Sequence, residues 1–293
     1  MNLKDYLAER SAIVDRALDR FLPKATAKPP TIHKAMRYSL FAGGKRLRPV
    51  LCLAAAEACG GDLNDALAAA CAVECIHTYS LIHDDLPCMD NDDYRRGRLT
   101  SHKVYGEGIA VLAGDALLTF AFEILTAAQG TPRYPAAALV RELAYAAGSR
   151  ALIAGQVADL EGEGKKTTLR ELRFIHEAKT AALLTSAIRL GAMSANATPA
   201  KLEALTAFGK HLGLAFQVID DILDVTQTSE KLGKSAGKDV AAQKATYPAL
   251  LGLEKARKEA QKLTAASLSA LKPFRKAGET LQALGEYLLQ REY

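Results

Sequence analysis

The chain has 293 residues, of which 49% are hydrophobic, and it carries a net charge of +5. This hydrophobic fraction is ample for a core, and abundant alanine without concentrated β-branched runs favours helix over sheet. Lysine and arginine are spread along the chain and tryptophan is absent, which argues against a nucleic-acid binder and suits anionic small substrates.

Three features of the sequence bear on its compartment. The N-terminus, MNLKDYLAER, lacks the apolar segment of a signal peptide. The longest apolar stretch, Ile109 to Leu125, is interrupted by Asp115 and Glu123. The odd cysteine count argues against a disulfide framework; the cysteines are Cys52, Cys59, Cys71, Cys75 and Cys88. We therefore predict a soluble cytoplasmic protein without a membrane span and, in the absence of repeats and linkers, a single domain over residues 1–293.

The first predicted helix is amphipathic and spans residues 2–21. After a proline-containing loop, a second helix leads into Gly43-Gly44-Lys45-Arg46-Leu47-Arg48-Pro49. The two glycines permit a break or a close backbone approach. Lys45 and Arg48 are three residues apart and could converge on one anion, although a basic helix end that complements the macrodipole explains them equally well.

An acidic cluster follows the next apolar helix, in the stretch from Cys71 to Arg98. Its carboxylates and the arginines after them are Asp84, Asp85, Asp90, Asp92, Asp93, Arg95, Arg96 and Arg98. Two carboxylates about 4 Å apart repel by roughly 4 kcal/mol at an effective dielectric near 20. An isolated acidic run is most often a solvated loop, but carboxylate oxygens suit magnesium and arginine suits phosphate. The combination indicates a site for a magnesium-bridged diphosphate.

Further helices are predicted over 106–128 and 135–160. Glu161 to Lys166 is predicted to be a loop, and Thr168 with Glu171 forms a capping box that begins another helix. That helix carries Lys179 and Thr180 within an apolar run that ends near residue 191. A lysine in such a helix could simply extend its ammonium group to solvent.

A second acidic motif lies far downstream, at Asp220-Asp221-Ile222-Leu223-Asp224. With Gln217, Asp220 and Asp224 occupy one stripe of a helix, because residues three and four apart share a face. The flanking residues are apolar, and burying unpaired carboxylates is costly. Two such motifs on apolar helices suggest opposite walls of one cavity. A loop over residues 229–244 follows.

The two motifs resemble the aspartate-rich motifs of the trans-isoprenyl diphosphate synthases. The first, Asp84-Asp85-Leu86-Pro87-Cys88-Met89-Asp90, has the two-residue insertion of the bacterial and plant members. The resemblance covers nearly the whole chain, from about residue 36 to 293, and is closest to bacterial farnesyl and geranylgeranyl diphosphate synthases. It implies an all-α, isoprenoid synthase-type helical bundle around a central cavity, commonly a homodimer.

The resemblance also implies roles for individual residues. Magnesium, three ions with substrate bound, would be held by Asp84, Asp85, Asp90, Asp220 and Asp224. The catalytic set would be Asp84, Asp85, Asp90, Lys179, Asp220 and Asp221. Isopentenyl diphosphate would be bound by Lys45, Arg48, His77 and Arg96. The allylic diphosphate would be bound by Arg95, Lys179, Thr180, Gln217, Lys234 and Lys244.

These roles imply a prenyl transfer. The allylic diphosphate ionises as magnesium and cationic side chains neutralise its leaving group. The double bond of isopentenyl diphosphate attacks the carbocation, and the released diphosphate can accept the proton that leaves. Dimethylallyl and geranyl diphosphates would be the successive allylic substrates for a farnesyl product.

Product length depends on the floor of the pocket. Tyr79 lies five residues before Asp84, about 7.5 Å along a helix, and with Ser80 it would form this floor. An aromatic residue here goes with the farnesyl product in the family, whereas the surrounding motif also resembles geranylgeranyl synthases. Farnesyl diphosphate is the predicted product and geranylgeranyl diphosphate the alternative. A class I terpene cyclase is a weaker reading because it would not need a second diphosphate site, and a non-catalytic subunit would be expected to lack intact motifs.

Overall fold

Helices dominate the computed structural model, which describes residues 2–226 and 245–289. This confirms the all-α prediction; within the described ranges the extended structure is one short hairpin. The first half contains α1 Leu3–Phe21, α2 Pro30–Leu40, α3 Leu47–Cys59, α4 Leu63–Asp84, β1 Tyr94–Arg95, β2 Arg98–Leu99, α5 Ser101–Tyr105 and α6 Glu107–Leu125. The second half contains α7 Ala136–Ala147, α8 Leu152–Gly162, α9 Leu169–His176, a π-helical turn Glu177–Ala181, α10 Ala182–Ser194, α11 Pro199–Thr226, α12 Tyr247–Leu251, α13 Leu253–Ala270, a 3₁₀ turn Lys272–Gly278 and α14 Glu279–Leu289.

The core forms around α4, which packs against α3, α6 and α10, while α11 packs against α10 and α13. Small residues allow these helices to approach closely. A methyl group added to Gly191 on α10 would collide with the carbonyl oxygen of Cys52 on α3. Both α3 and α10 contribute side chains to the two clusters of the core. The single domain over residues 1–293 stays a prediction.

Several predicted boundaries are confirmed and one helix is corrected. Thr168 and Glu171 form the predicted capping box at the start of α9. The helix predicted over 135–160 is two helices, α7 and α8. The chain is extended at Gly148 and Ala151 also has non-helical backbone angles, and glycine's low helix propensity favours a break. Pro30 begins α2, where the missing N–H of proline costs no helical hydrogen bond.

Two helices, α4 and α6, are long and apolar enough to cross a membrane. Buried residues make up 72% of the apolar window in α4 and 44% in α6. The two helices pack against each other inside the bundle. Core helices of globular domains meet the same length and composition test, so these two are weak evidence for a span.

Candidate active site

The first aspartate motif lies where α4 ends. Asp84 is the last residue of the helix and Asp85 caps it. The chain then turns back, so that the backbone N–H of Asp90 donates to the carbonyl oxygen of Asp84 at 2.9 Å. Leu86 also accepts from the N–H of Asn91, at 3.1 Å. These hydrogen bonds bring the insertion beside the helix end, so Asp90 returns to the neighbourhood of Asp84 and Asp85.

The carboxylates of this motif repel one another. Burial raises the pKa of Asp84 to about 6; Lys179 opposes the shift, whereas Asp90 adds to it. Burial also raises the pKa of Asp85, against the effect of its hydrogen bonds with Arg95. A raised pKa means that the negative charge is poorly compensated by the protein alone. A divalent cation would supply the missing positive charge.

Residues 92–100 form a short hairpin, here called the arginine hairpin. Its two strands pair Tyr94 with Leu99, and Thr100 Oγ1 donates to the carbonyl oxygen of Asp92 at 2.8 Å. Nε of Arg95 donates to Oδ1 of Asp85 at 2.9 Å. Arg96 has a positive φ of 54°, and its guanidinium donates instead to the carbonyl oxygen of Gly43. The hairpin thus sends two neighbouring arginines to different partners.

A second cationic cluster joins the Gly43–Pro49 segment to α4. Nη1 of Arg48 lies 3.2 Å from Nε2 of His77, and Arg96 approaches so closely that a methyl group on Gly44 would collide with its guanidinium. Burial lowers the pKa of His77 well below its usual range, and Arg48 and Arg96 lower it further. His77 is therefore neutral near pH 7 and can accept a hydrogen bond from Arg48. The structure brings three of the predicted isopentenyl diphosphate ligands together.

Lys45, the fourth predicted ligand, lies apart from this cluster. It is exposed, and its Nζ lies 5.4 Å from the ring centroid of Tyr287. Arg46, for which no role was predicted, is buried and anchors the segment. It bonds to Asp15 and to Glu74, both at 2.8 Å. The conformation that presents Arg48 thus depends on a neighbouring ion-pair network.

The second aspartate motif lies within α11. Gln217, Asp220 and Asp221 line a cavity. Asp221 also accepts from the backbone N–H of Tyr247 at 2.8 Å and lies 3.1 Å from Nε2 of His176. These contacts give Asp221 a structural role beside the catalytic one predicted for it. Asp224 is buried, and its Oδ2 has no hydrogen-bond partner within the described ranges.

Lys179 and Thr180 lie on the π-helical turn, a feature that the sequence did not reveal and that is frequent at functional sites. Nζ of Lys179 pairs with Oδ2 of Asp159 at 2.7 Å, and Oγ1 of Thr180 donates to Oε1 of Gln217 at 2.9 Å. A methyl group on Gly155 would collide with the backbone of Lys179. Asp159 was not predicted from the sequence. The pattern that could have indicated it is an acidic residue one helical turn after Gly155 on an apolar helix.

One cavity of about 380 Å³ brings the two motifs together. It is lined by Leu81, Asp90, Arg95, Asp159, Gly162, Glu163, Thr167, Leu172, Ile175, His176, Lys179, Gln217, Asp220, Asp221 and Ala245. The prediction that the motifs form walls of one cavity is therefore supported by residues from both. Lys234 and Lys244 lie outside the described residues.

The two residues predicted to form the pocket floor, Tyr79 and Ser80, lie in different surroundings. Tyr79 is 5% exposed and packs edge-on against His83, with ring centroids 5.7 Å apart. Tyr79 does not line the 380 Å³ cavity, whereas Leu81 from the same helix does. Ser80 is only partly buried and its hydroxyl donates to the carbonyl oxygen of His77 at 2.9 Å. Ser80 is four residues before Asp84 and so shares its face of α4, whereas Tyr79 is turned away.

The carboxylates suit magnesium shared with a substrate. Asp84 has a raised pKa, and Asp224 has a buried oxygen without a partner in the described chain. Among the described residues, no three acidic, histidine or cysteine side chains converge closely enough to form a complete metal cage. Magnesium is usually bound by one or two carboxylates together with substrate phosphates and water. The donor set therefore fits a metal that arrives with a diphosphate.

The helical fold and these facing carboxylates define an enzyme of the prenyl diphosphate synthase class. The chain belongs to the polyprenyl synthetase family, whose model matches residues 29–286. It is 52% identical to the chloroplastic geranylgeranyl pyrophosphate synthase of Capsicum annuum, over 99% of this chain and 79% of that protein. Enzymes of this family use magnesium with isopentenyl and allylic diphosphates.

Solved structures agree with this assignment. An FPP/GFPP synthase from Zymomonas mobilis superposes with a TM-score of 0.86 at 36% identity, covering 98% of this chain and 99% of that one. A geranyltransferase from Helicobacter pylori, complexed with magnesium and isoprenyl diphosphate, gives a TM-score of 0.83 at 35% identity, covering 99% and 97%. The names of these relatives span several product lengths.

Proposed function

We propose that this chain condenses isopentenyl diphosphate with dimethylallyl and then geranyl diphosphate to form farnesyl diphosphate. The observation that carries the proposal is the presence of two separate groups of basic side chains, connected by the neighbouring Arg95 and Arg96 of one hairpin. One group comprises Arg95, Lys179 and the carboxylates. The other comprises Arg48, His77 and Arg96. A terpene cyclase, which handles a single diphosphate, has no use for the second group.

Magnesium would be held by Asp84, Asp85, Asp90, Asp220 and Asp224, three ions with substrate bound, and it supplies Lewis-acid neutralisation of the leaving diphosphate. Lys179 and Arg95 add fixed positive charge beside the departing oxygen. When the C–O bond breaks, its electron pair leaves with the diphosphate. Asp159 and Asp85, which pair with these two cations, hold them in place beforehand.

The second substrate is oriented by the other cationic group. Arg48 and Arg96 grip the isopentenyl diphosphate, and neutral His77 contributes a hydrogen bond. The double bond of that substrate forms the new C–C bond with the carbocation, and the adjacent C–H proton passes to the released diphosphate. Leu81, Leu172 and Ile175 form the apolar part of the cavity wall, which limits the access of water to the carbocation.

The farnesyl product is proposed because Tyr79, five residues before Asp84 on α4, is aromatic, as is typical of the farnesyl enzymes that the sequence resembles. The alternative product is geranylgeranyl diphosphate, made by the same chemistry. The names of the similar relatives favour it, since most of them are geranylgeranyl synthases. The small side chain of Ser80 on the Asp84 face also favours a longer chain.

A product assay tests the proposal. Purified protein is incubated with magnesium, isopentenyl diphosphate and dimethylallyl diphosphate, and the dephosphorylated alcohols are identified by mass. We expect mainly farnesol from the wild type, longer alcohols from Tyr79→Ala and shorter ones from Ser80→Phe. Wild-type geranylgeraniol would reject the farnesyl product but keep the reaction, and an unchanged chain length in Tyr79→Ala would remove Tyr79 from the floor. No elongation with any allylic starter would reject the function.

We also propose that the protein is a cytoplasmic homodimer. On α6, Val111 and Leu112 are 39% and 54% exposed, and Val104 on α5 is 44% exposed. These apolar side chains suit contact with a second copy. Light scattering is expected to give the mass of a dimer, and Leu112→Glu to give a monomer. A monomeric wild type would contradict the assembly. All five cysteines are free thiols, which suits a reducing compartment.

A further inference from the structure

A second, much smaller cavity lies under the arginine hairpin. Its volume is about 30 Å³. It is lined by the end of α2, the last two turns of α4, the hairpin and the start of α5. Asp85, Arg95 and Arg96 stand in its walls. The cavity therefore borders both groups of side chains that are proposed to bind diphosphate.

Two hydroxyl groups in these walls have no hydrogen-bond partner in the part of the chain that the structure describes. They are Oγ1 of Thr78 and Oγ of Ser101, in residues that are 2% and 5% exposed. Buried hydroxyls in folded proteins nearly always have a partner. Tyr38 brings a third hydroxyl to the wall; it donates its proton to the carbonyl oxygen of Leu99 at 2.7 Å, so its oxygen is still able to accept.

The size and polarity of the cavity match one kind of occupant. A cavity of about 30 Å³ has room for one ordered water molecule, and a buried water makes two to four hydrogen bonds. Thr78 on α4, Ser101 on α5 and Tyr38 on α2 supply a suitable set of donors and acceptors. A hydrocarbon group of this size would leave the hydroxyls unpaired. Water is therefore the ligand that satisfies the cavity.

We propose that an ordered water molecule in this cavity links Thr78 to Ser101, and that these two are positioning residues for the arginine hairpin. The inference rests on the proposed function, because the hairpin carries Arg95 and Arg96. The hairpin is already joined to α4 through Asp85. The water adds a second link, from α4 to the first residue after the hairpin. Together they fix the direction in which both arginines point.

The experiment compares hydroxyl-deleting and hydroxyl-keeping variants. Thr78→Val and Ser101→Ala remove one hydroxyl each, and we expect KM for both diphosphates to rise by about fivefold, the order associated with one hydrogen bond. We expect kcat to change by less than about twofold, because the reacting atoms are untouched. Thr78→Ser keeps the hydroxyl and is expected to retain the wild-type KM. A high-resolution crystal structure of the wild type is expected to show the water.

Controls separate this role from a general loss of stability. Thr185→Val on α10 removes another buried hydroxyl that has no partner among the described residues and is remote in sequence from the hairpin, and it should leave both KM values unchanged. If Thr78→Val does not fold, Ser101→Ala carries the comparison. Wild-type KM values in the deletion variants, or no water density between Thr78 and Ser101, would overturn the proposal. A wild-type protein that binds neither diphosphate would instead overturn the proposed function, and the crystal density would still decide the question of the water.

Discussion

The two aspartate motifs hold their carboxylates in different ways. The first lies at the end of α4 and in the turn after it, where Asp85 is held by an arginine from the following hairpin. The second lies inside α11, a helix of 28 residues. There Asp221 is fixed by Tyr247 and His176, whose rings stack with centroids 5.7 Å apart. One wall of the cavity is built by chain turns and the other by a packed helix.

This difference suggests that the two motifs contribute differently to turnover and to stability. Loop contacts can readjust when a substrate binds, because few core side chains hold them. Carboxylates on a packed helix keep their positions and are coupled to the stability of the core. Substitutions in the first motif should therefore mainly affect turnover, and substitutions at the buried position of the second should also affect folding.

The largest effect is expected for Asp84→Asn. Asp84 is proposed to hold magnesium, so loss of its carboxylate should lower kcat by at least about a hundredfold, the order observed when a transition-state contact is removed. The thermal unfolding midpoint should stay near that of the wild type or rise, because burial already raises the pKa of Asp84 to about 6. Asp93→Asn, which alters an exposed carboxylate paired with Lys103, is the control. Near-normal turnover by Asp84→Asn would remove this residue from the site.

A smaller loss of turnover is expected for Lys179→Met. The variant lacks one fixed charge beside the leaving diphosphate, and a decrease in kcat of about tenfold to a hundredfold is expected from electrostatic catalysis. Asp159→Asn keeps Lys179 but removes the carboxylate that pairs with it. This variant should raise KM for the allylic substrate more than it lowers kcat. Lys262→Met on the exposed surface of α13 controls for the loss of one positive charge. Equal kinetics in all three variants would refute the role of the Lys179–Asp159 pair.

The second motif is tested by comparing Asp220 with Asp221. Asp221→Ala leaves the N–H of Tyr247 without its acceptor, so the free energy of unfolding should fall by about 1–3 kcal/mol. Asp220→Ala should lower turnover strongly with a smaller loss of stability, because Asp220 is only partly buried. Urea denaturation and steady-state kinetics measure the two effects. Equal losses of stability in the two variants would contradict the separation of a catalytic role for Asp220 from a structural role for Asp221.

The smallest effect concerns His77 and pH. Because burial lowers the pKa of His77 well below its usual range, the unfolded chain binds a proton that the folded chain does not as the pH falls below about 6.5. The contribution of neutral His77 to the free energy of unfolding is therefore fully present above about pH 6.5 and decreases as the pH falls below that value. His77→Gln should show a shallower decrease in unfolding midpoint between about pH 6.5 and 5, whereas His211→Gln reports the general effect of removing an imidazole. An unchanged pH profile in His77→Gln would contradict this account.

Much of the fold and the site followed from sequence because the signals were local. Helix period, the Thr168 capping box and the two aspartate motifs each depend on neighbours within a few residues, and they placed Lys179, Thr180 and Gln217 on helices that the structure confirms. The motif pattern also indicated the family. The motifs carried this information because their chemistry requires particular side chains at fixed spacing.

The missed features depend on contacts distant in sequence. Asp159 pairs with Lys179 across 20 residues, and Asp221 with the backbone of Tyr247 across 26. Arg46 binds Asp15 from another helix. The orientation of Tyr79 away from the Asp84 face follows from helical period, because five residues rotate an α-helix by about 500°, which leaves the two side chains about 140° apart.

The π-helical turn at Glu177–Ala181 has a consequence for how this site could arise. A π turn accommodates one residue more than the corresponding α-helical turn, and each residue rotates an α-helix by about 100°. A single-residue deletion between His176 and Ala182 would therefore restore regular helix and turn Lys179 out of the cavity, while α10 could keep its packing against α3. One inserted codon in an ordinary core helix would be sufficient to bring the ammonium group of Lys179 to the cavity. The insertion changes the direction of this side chain and leaves the packing of the other helices unchanged.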